Sequence, residues 1–107
     1  MLKEVVTTNN IYLYNDKESL QMCVGMTFSQ VSVSFIDYVT VSFRFTEDET
    51  NYITNVKFKD FALAMQVIKC TAQHLNKKVV AASSDDKVVN KFVFEDNSFF
   101  EILPLQE

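Results

Sequence analysis

Apolar and polar residues alternate along the centre of the chain, from Val31 to Phe43. The apolar side chains stand at odd positions, and the residues between them carry almost no charge until Arg44. A period of two is typical of a strand with one buried face. The small polar residues of this stretch are Ser32, Ser34, Thr40 and Ser42. We therefore predict a buried odd face and a second face of small polar side chains.

The segments before and within this stretch extend the strand pattern. Residues 20–28 carry apolar side chains at even positions. A two-residue turn after them would place Phe28 opposite Val31 in an antiparallel pair. Residues 36–38 fit either a turn or one long bent strand. Both versions predict neighbouring strands that share one apolar face.

More strands follow the central stretch. After a polar, acidic connection at 46–51, residues 54–58 alternate again and predict a strand that pairs back onto Val39–Phe43. The remaining candidate strands are 11–14, 88–94 and 99–103, with a short apolar run at 79–82 and turns at 83–86 and 95–97. These connections are short, so we expect strands that are consecutive in sequence to be neighbours in the sheet.

The spacing of apolar residues changes to that of a helix near residue 60. The helical stripe consists of Phe61, Ala64, Met65, Ile68, Ala72 and Leu75. Asp60 precedes the stripe and is a plausible N-cap. Leu63, Val67 and Cys70 widen the apolar face, so we expect the helix to be well buried against the sheet.

Together these patterns predict an α+β fold with an antiparallel, meander-rich sheet of about 5–7 strands. One main α-helix, at about residues 60–77, packs on one face. The 107 residues, 48% of them hydrophobic, fit a single domain over residues 1–107. The sequence lacks a long apolar segment and a secretory leader, so we expect a soluble, cytoplasmic protein.

The charge balance argues against nucleic acid as a direct partner. The formal net charge is −4, and Arg44 is the only arginine. Binding to phosphates needs clustered cations, and reading bases favours arginine. As an alternative, aromatic residues of the sheet could stack on bases, with Lys57 and Lys59 beside Phe58 and with Lys87 and Lys91 before Phe92. This supply of cations is thin, so we predict no direct nucleic-acid binding, and we expect no membrane binding.

No familiar catalytic or metal-binding motif occurs in the sequence. Cys23 and Cys70 belong to no paired motif, and we expect both to be reduced packing residues. His74 is the only histidine and lies off the apolar stripe of the helix, as a surface residue would. Gly25 is the only glycine, which excludes the usual glycine-rich phosphate loops. We therefore predict no catalytic residue, no metal and no cofactor.

Acidic residues gather in the predicted turns. They are Glu47, Asp48, Glu49, Asp85, Asp86, Glu95 and Asp96. Charges in turns are usually only solvated. If the turns fell at one edge of the sheet, the carboxylates would instead form a docking rim for a protein with a basic surface. Tyr52, beside the first of these turns, is a candidate aromatic anchor for such a partner.

The small polar face of the central strands raises a second possibility. A face open to solvent normally carries lysine and glutamate, which discourage association, and this one does not. Three alternatives could cover this face: the carboxyl-terminal strands with Phe92 to Phe100, a second copy in a homodimer, or another protein.

The functional prediction is a small acidic inhibitor domain that occludes a partner protein, such as a nuclease, without catalysis. In size and charge it is similar to bacterial immunity proteins and to phage inhibitors of host defence. The composition, with one Gly and one Pro, is typical of AT-rich mobile elements. One alternative is a structural subunit that self-associates through a sheet face or edge. Another is a small enzyme, which would need a concave pocket and a carboxyl with a raised pKa.

Overall fold

Seven strands form one sheet in the computed structural model of the chain, which describes residues 3–9, 27–35, 38–85 and 90–104. The elements in chain order are β1 (Lys3–Asn9), β2 (Gln30–Ser34), β3 (Val39–Glu47), β4 (Thr50–Phe58), α1 (Phe61–His74), β5 (Val79–Ser83), β6 (Asn90–Phe94) and β7 (Phe99–Ile102). The spatial order of the strands is β1-β4-β3-β2-β7-β6-β5. The prediction of a sheet with one helix is confirmed in this coarse form.

The sheet is mixed, so the prediction of an antiparallel, meander-rich sheet is wrong for two of its strand pairs. β1 runs parallel to β4, and β2 runs parallel to β7. The other neighbouring pairs are antiparallel. An alternating pattern determines which side chains share a face, and it leaves the identity and direction of the neighbouring strand open.

The hairpin of β3 and β4 confirms the predicted pairing. Val39 lies opposite Phe58 and Val41 opposite Val56. The polar connection expected over 46–51 is shorter than predicted, because both strands continue up to the turn residues Asp48 and Glu49. The positive φ angles of these two residues, 50° and 62°, are those of a tight turn that matches the twist of the strands.

The pairing predicted for β2 is wrong. Val31 lies between Phe43 of β3 and Phe100 of β7, so both sides of β2 are occupied. Phe28 precedes β2 and packs in the core instead. Most of the predicted strand 20–28, and all of the predicted strand 11–14, lie outside the described residues. β1 was not predicted, because its valines are followed by threonines and asparagine without a clear alternation.

Helix α1 confirms the predicted helix within a few residues. The Asp60 carboxylate accepts a hydrogen bond from the Leu63 N–H at 2.7 Å, as an N-cap does. At the other end Asn76 has a φ of 57°, and the Lys77 N–H donates to the Ala72 carbonyl at 2.9 Å. A residue in the left-handed region followed by this bond closes the last turn of the helix.

The core lies between α1 and one face of the sheet, as the odd positions of the central stretch predicted. Its buried apolar residues are Phe28, Val31, Val33, Val39, Val41, Phe43, Val56, Phe58, Ala64, Val67, Ile68, Phe94, Phe100 and Ile102. We call this face of the sheet the inner face. The carboxyl-terminal strands extend the sheet sideways rather than covering the small polar face, so this one of the three possible covers is wrong.

Candidate functional site

The strand directions place the acidic turns at two different ends of the sheet. Gln30 pairs with both Arg44 and Phe99, so the β3–β4 turn and the β6–β7 turn lie at one end, which we call the turn end. Asp85 follows β5 and lies at the opposite end. Asp86 is outside the described residues. The predicted acidic residues therefore do not form a single patch.

The acidic residues of the turn end are interspersed with cations. The residues Glu47, Asp48, Glu49, Glu95 and Asp96 are exposed there. The Lys3 N–H donates to the Glu49 carbonyl, and the Glu95 N–H donates to the Lys78 carbonyl, so both lysines lie at the same end. The two turns are also separated by three strand spacings, roughly 14 Å. The turn end is consequently a surface of mixed charge.

The carboxylate of Asp96 accepts hydrogen bonds from neighbouring residues of the same chain. The Lys77 side chain, only 8% exposed, donates from Nζ to Oδ2 of Asp96 at 2.6 Å and to Oγ of Ser98 at 2.7 Å. Ser98 donates its backbone N–H and its hydroxyl to Oδ1 of Asp96. The hydrogen bond from Lys77, and after it the one from Ser98, lowers the pKa of Asp96 from 3.8 to about 2.

Tyr52, the predicted aromatic anchor, is partly engaged within the chain. Its ring stacks on Phe45 with centroids 5.1 Å apart. It lies next to Val5 of β1 and is 37% exposed. The phenol thus belongs to the β1 side of the inner face, away from the β6–β7 turn.

Within the described part of the chain, the fold does not arrange the side chains that the other candidate sites would need. Among the described residues, no three His, Cys, Asp or Glu side chains converge to hold a metal ion. His74 is exposed, and Cys70 is half-buried and free. Phe58 is fully buried, so it cannot stack on a base between its two neighbouring lysines. Cys23 lies outside the described residues.

An apolar groove runs along one flank of α1. The helix packs on β3 and β4, while β5, β6 and β7 continue the inner face beyond it. The cavity between this flank and the three strands has a volume of about 600 Å³. The helix contributes Ala62, Met65, Gln66, Ile68, Lys69, Ala72 and Gln73, and the rest of the lining is Lys77, Val79, Phe92, Phe94 and Phe100. We call this cavity the helix-flank groove.

The sequence explains why the helix-flank groove is apolar. Phe92 and Phe94 alternate onto the inner face of β6, and Phe92 stacks on Phe100 of β7 with centroids 5.6 Å apart. The apolar face of α1 is wider than its contact with β3 and β4 requires, so Met65 and Ala72, which pack at the margin of the core, also line the groove. The wide apolar stripe of α1 is visible in the sequence. Only the strand order shows that part of this stripe lines a groove instead of the core.

The polar groups of the helix-flank groove lie on the helix and at the turn end. Gln66, Lys69 and Gln73 are exposed and follow one side of α1. Lys77 closes the turn end, where its ammonium lies 4.6 Å from the centre of the Phe28 ring. Since Lys77 is already paired with Asp96, Lys69 is the main source of positive charge along the groove.

A second hollow opens on the opposite face of the sheet. It is smaller, about 220 Å³, and it is lined by Glu4, Ser29, Gln30, Arg44, Phe45, Thr46, Asn51 and Ile53. Its two charged residues have opposite signs, so it does not favour an ion of either sign. The larger apolar groove is therefore the stronger candidate site.

No family model, no curated protein and no solved structure matches this chain. Within the ranges that the structure describes, no helix combines the length and the apolar character needed to cross a membrane.

Proposed function

We propose that this chain is a non-catalytic protein-binding domain that occludes a segment of a partner protein in the helix-flank groove. The observation that carries the proposal is the open apolar groove itself. Its volume of about 600 Å³ lies within the range of about 300–1,000 Å³ that is typical of binding pockets. Apolar side chains line it, with a few polar groups on one side, as in recognition sites.

The dimensions of the groove fit one α-helix of the partner. Its helical wall extends from Ala62 to Gln73, which is about 17 Å or roughly three turns. Its floor reaches from β7 to β5, which is roughly 10 Å, close to the diameter of a helix with its side chains. An amphipathic helix laid beside α1 would bury its apolar face on Phe92 and Met65.

The charge of the groove favours a partner helix with carboxylates on its flank. Lys69 is exposed on the wall, and the neighbouring Gln66 and Gln73 can donate hydrogen bonds to carboxylate oxygens. This differs from the basic partner predicted from the acidic turns. That prediction now depends on the turn end alone, where carboxylates and lysines are mixed.

Variants of the groove test the proposal. A tagged chain would first capture its partner from a native extract at low salt, and calorimetry would then measure affinity with the purified partner. Lys69→Glu reverses the charge of the wall, and Ala62→Trp fills its exposed end. We expect each to weaken binding at least about tenfold, which is about 1.4 kcal/mol. Lys59→Glu, the same change at an exposed position outside the groove, should leave the affinity nearly unchanged.

Substitutions in the acidic turn between β3 and β4 test the alternative binding site. A variant with Glu47, Asp48 and Glu49 changed to Lys should keep most of the affinity. Full affinity in both groove variants, with loss in the acidic-turn variant, would overturn the groove as the binding site and support the turn end. Catalytic turnover of the partner would overturn the proposal of occlusion.

A further inference from the structure

A second surface adjoins the helix-flank groove at the outer edge of β5, which is the last strand on this side of the sheet among the described residues. Every residue from Val79 to Ser83 is exposed, and Val80 is 60% exposed. The strand contains no charged residue. An edge strand presents unpaired backbone N–H and C=O groups, and charge is the usual means of preventing another strand from adding to it. β5 lacks that protection.

We propose that a second copy of the chain covers this edge, with the β5 strands of the two copies paired antiparallel. A twofold axis perpendicular to the sheet relates two such strands, so both copies use the same surface. The seven strands of each copy then continue into one sheet. This inference is independent of what binds in the groove.

The charges that flank β5 favour this pairing. Lys78, which is exposed, precedes the strand, and Asp85 follows it. Antiparallel pairing lays the basic start of one strand against the acidic end of the other. In a register centred on Ala81, Lys78 of one copy lies opposite Ser84 of the second copy, one residue before Asp85. The basic end of one strand and the acidic end of the other therefore attract each other without forming a directly opposed pair.

The other edge of the sheet lacks this complementarity. β1 is also exposed from Lys3 to Thr8, but its charged residues, Lys3 and Glu4, lie together at its start. Antiparallel self-pairing would set them against the uncharged end of the strand. We therefore assign the dimer contact to β5.

A bulge limits the strength of the contact. The pairing of β5 with β6 shifts between Val79 and Ala81, so the regular part of the strand extends from Ala81 to Ser83. Bulges blunt edge strands. A short contact of this kind forms a weak dimer, so we expect dissociation in the micromolar range.

The dimer has a consequence for the groove. A twofold axis perpendicular to the sheet keeps both inner faces on one side. The two helix-flank grooves then adjoin across the paired β5 strands and form one cleft between the two α1 helices. The floor of each groove stays open to its own ligand.

Sedimentation velocity tests the dimer on the full chain at concentrations from about 1 µM to about 1 mM. We expect a reversible monomer–dimer equilibrium. Val80→Lys places a charge on the β5 edge and should raise the dissociation constant at least about tenfold. Val6→Lys makes the same change at a 57% exposed valine of β1 and should alter it less than about twofold.

A charge reversal tests the orientation of the strands. Lys78→Glu should weaken the dimer, and adding Asp85→Lys should restore it. A chain that stays monomeric at about 1 mM would overturn the inference. Equal loss with Val6→Lys, or a double variant no stronger than Lys78→Glu alone, would also overturn it. Lys69→Glu, which tests the groove, should leave the dissociation constant unchanged, so the two proposals can fail separately.

Discussion

Lys77 joins the end of helix α1 to the β6–β7 turn with one side chain. Its ammonium donates to Asp96 and Ser98 and lies over the Phe28 ring, while its backbone N–H closes the helix. The charge of Asp96 is compensated by this contact, so the residue stabilises the turn end rather than adding to an acidic docking rim. Sequence alone predicted the turn but not the partner of its carboxylate.

The stability of the domain should depend on this carboxylate at low pH. The pKa of Asp96 is lowered from 3.8 to about 2 in the folded state, so its contribution is present above pH 4 and is lost as the pH falls towards 2. Because Asp96 is 55% exposed, we expect less than about 1 kcal/mol. Urea unfolding of the wild type and Asp96→Asn between pH 7 and pH 2 measures the difference, which should shrink as the pH falls. A difference that is the same at both ends of this range would contradict the assignment.

The turn between β3 and β4 holds two acidic residues in a backbone region that favours glycine and asparagine. Asp48 and Glu49 both have positive φ, a region in which most residues other than glycine and asparagine are strained. Asp48→Asn together with Glu49→Gly should raise the free energy of unfolding by about 1 kcal/mol, measured by urea denaturation. Glu47→Gly, one residue earlier and within β3, should lower it. A destabilised double variant would contradict this reading of the turn.

At the scale of elements, the sequence predicted the parts whose signals are local. The alternation of Val39 to Phe43 with residues 54–58 predicted a hairpin, and the cap at Asp60 predicted the start of α1. The sequence pattern did not predict that β2 pairs with β7. The two strands are separated by 64 residues, and both show the same alternation of apolar residues. Contacts of that range are decided by packing of the whole sheet rather than by local pattern.

The candidate site depends on the same long-range order. The helix-flank groove exists because α1 lies over β3 and β4 while β5, β6 and β7 continue the sheet past it. The wide apolar face of α1 is evident from the sequence and predicts deep burial, whereas in the fold part of this face lines the groove. The acidic residues were equally evident, but their grouping could not be known without strand directions, which place Asp85 away from the other acidic turns.

For the whole molecule, the two proposed surfaces lie side by side and have different tasks. The groove is a concave apolar site about one helix long, and the β5 edge is an exposed strand without charged residues. The account predicts that occlusion of a partner and self-association are separable by single substitutions. Its central claim is that the groove is where the partner binds.

Methyl NMR of the chain with its purified partner tests that claim most directly. Met65, Ile68 and Ala72 carry methyl groups in the groove, while Val5 and Val6 carry methyl groups on β1, at the far edge of the sheet. We predict that addition of the partner shifts the methyl signals of these three groove residues and leaves those of the two β1 valines in place. Unchanged groove signals, with shifts confined to β1 or to the β3–β4 turn, would contradict the account.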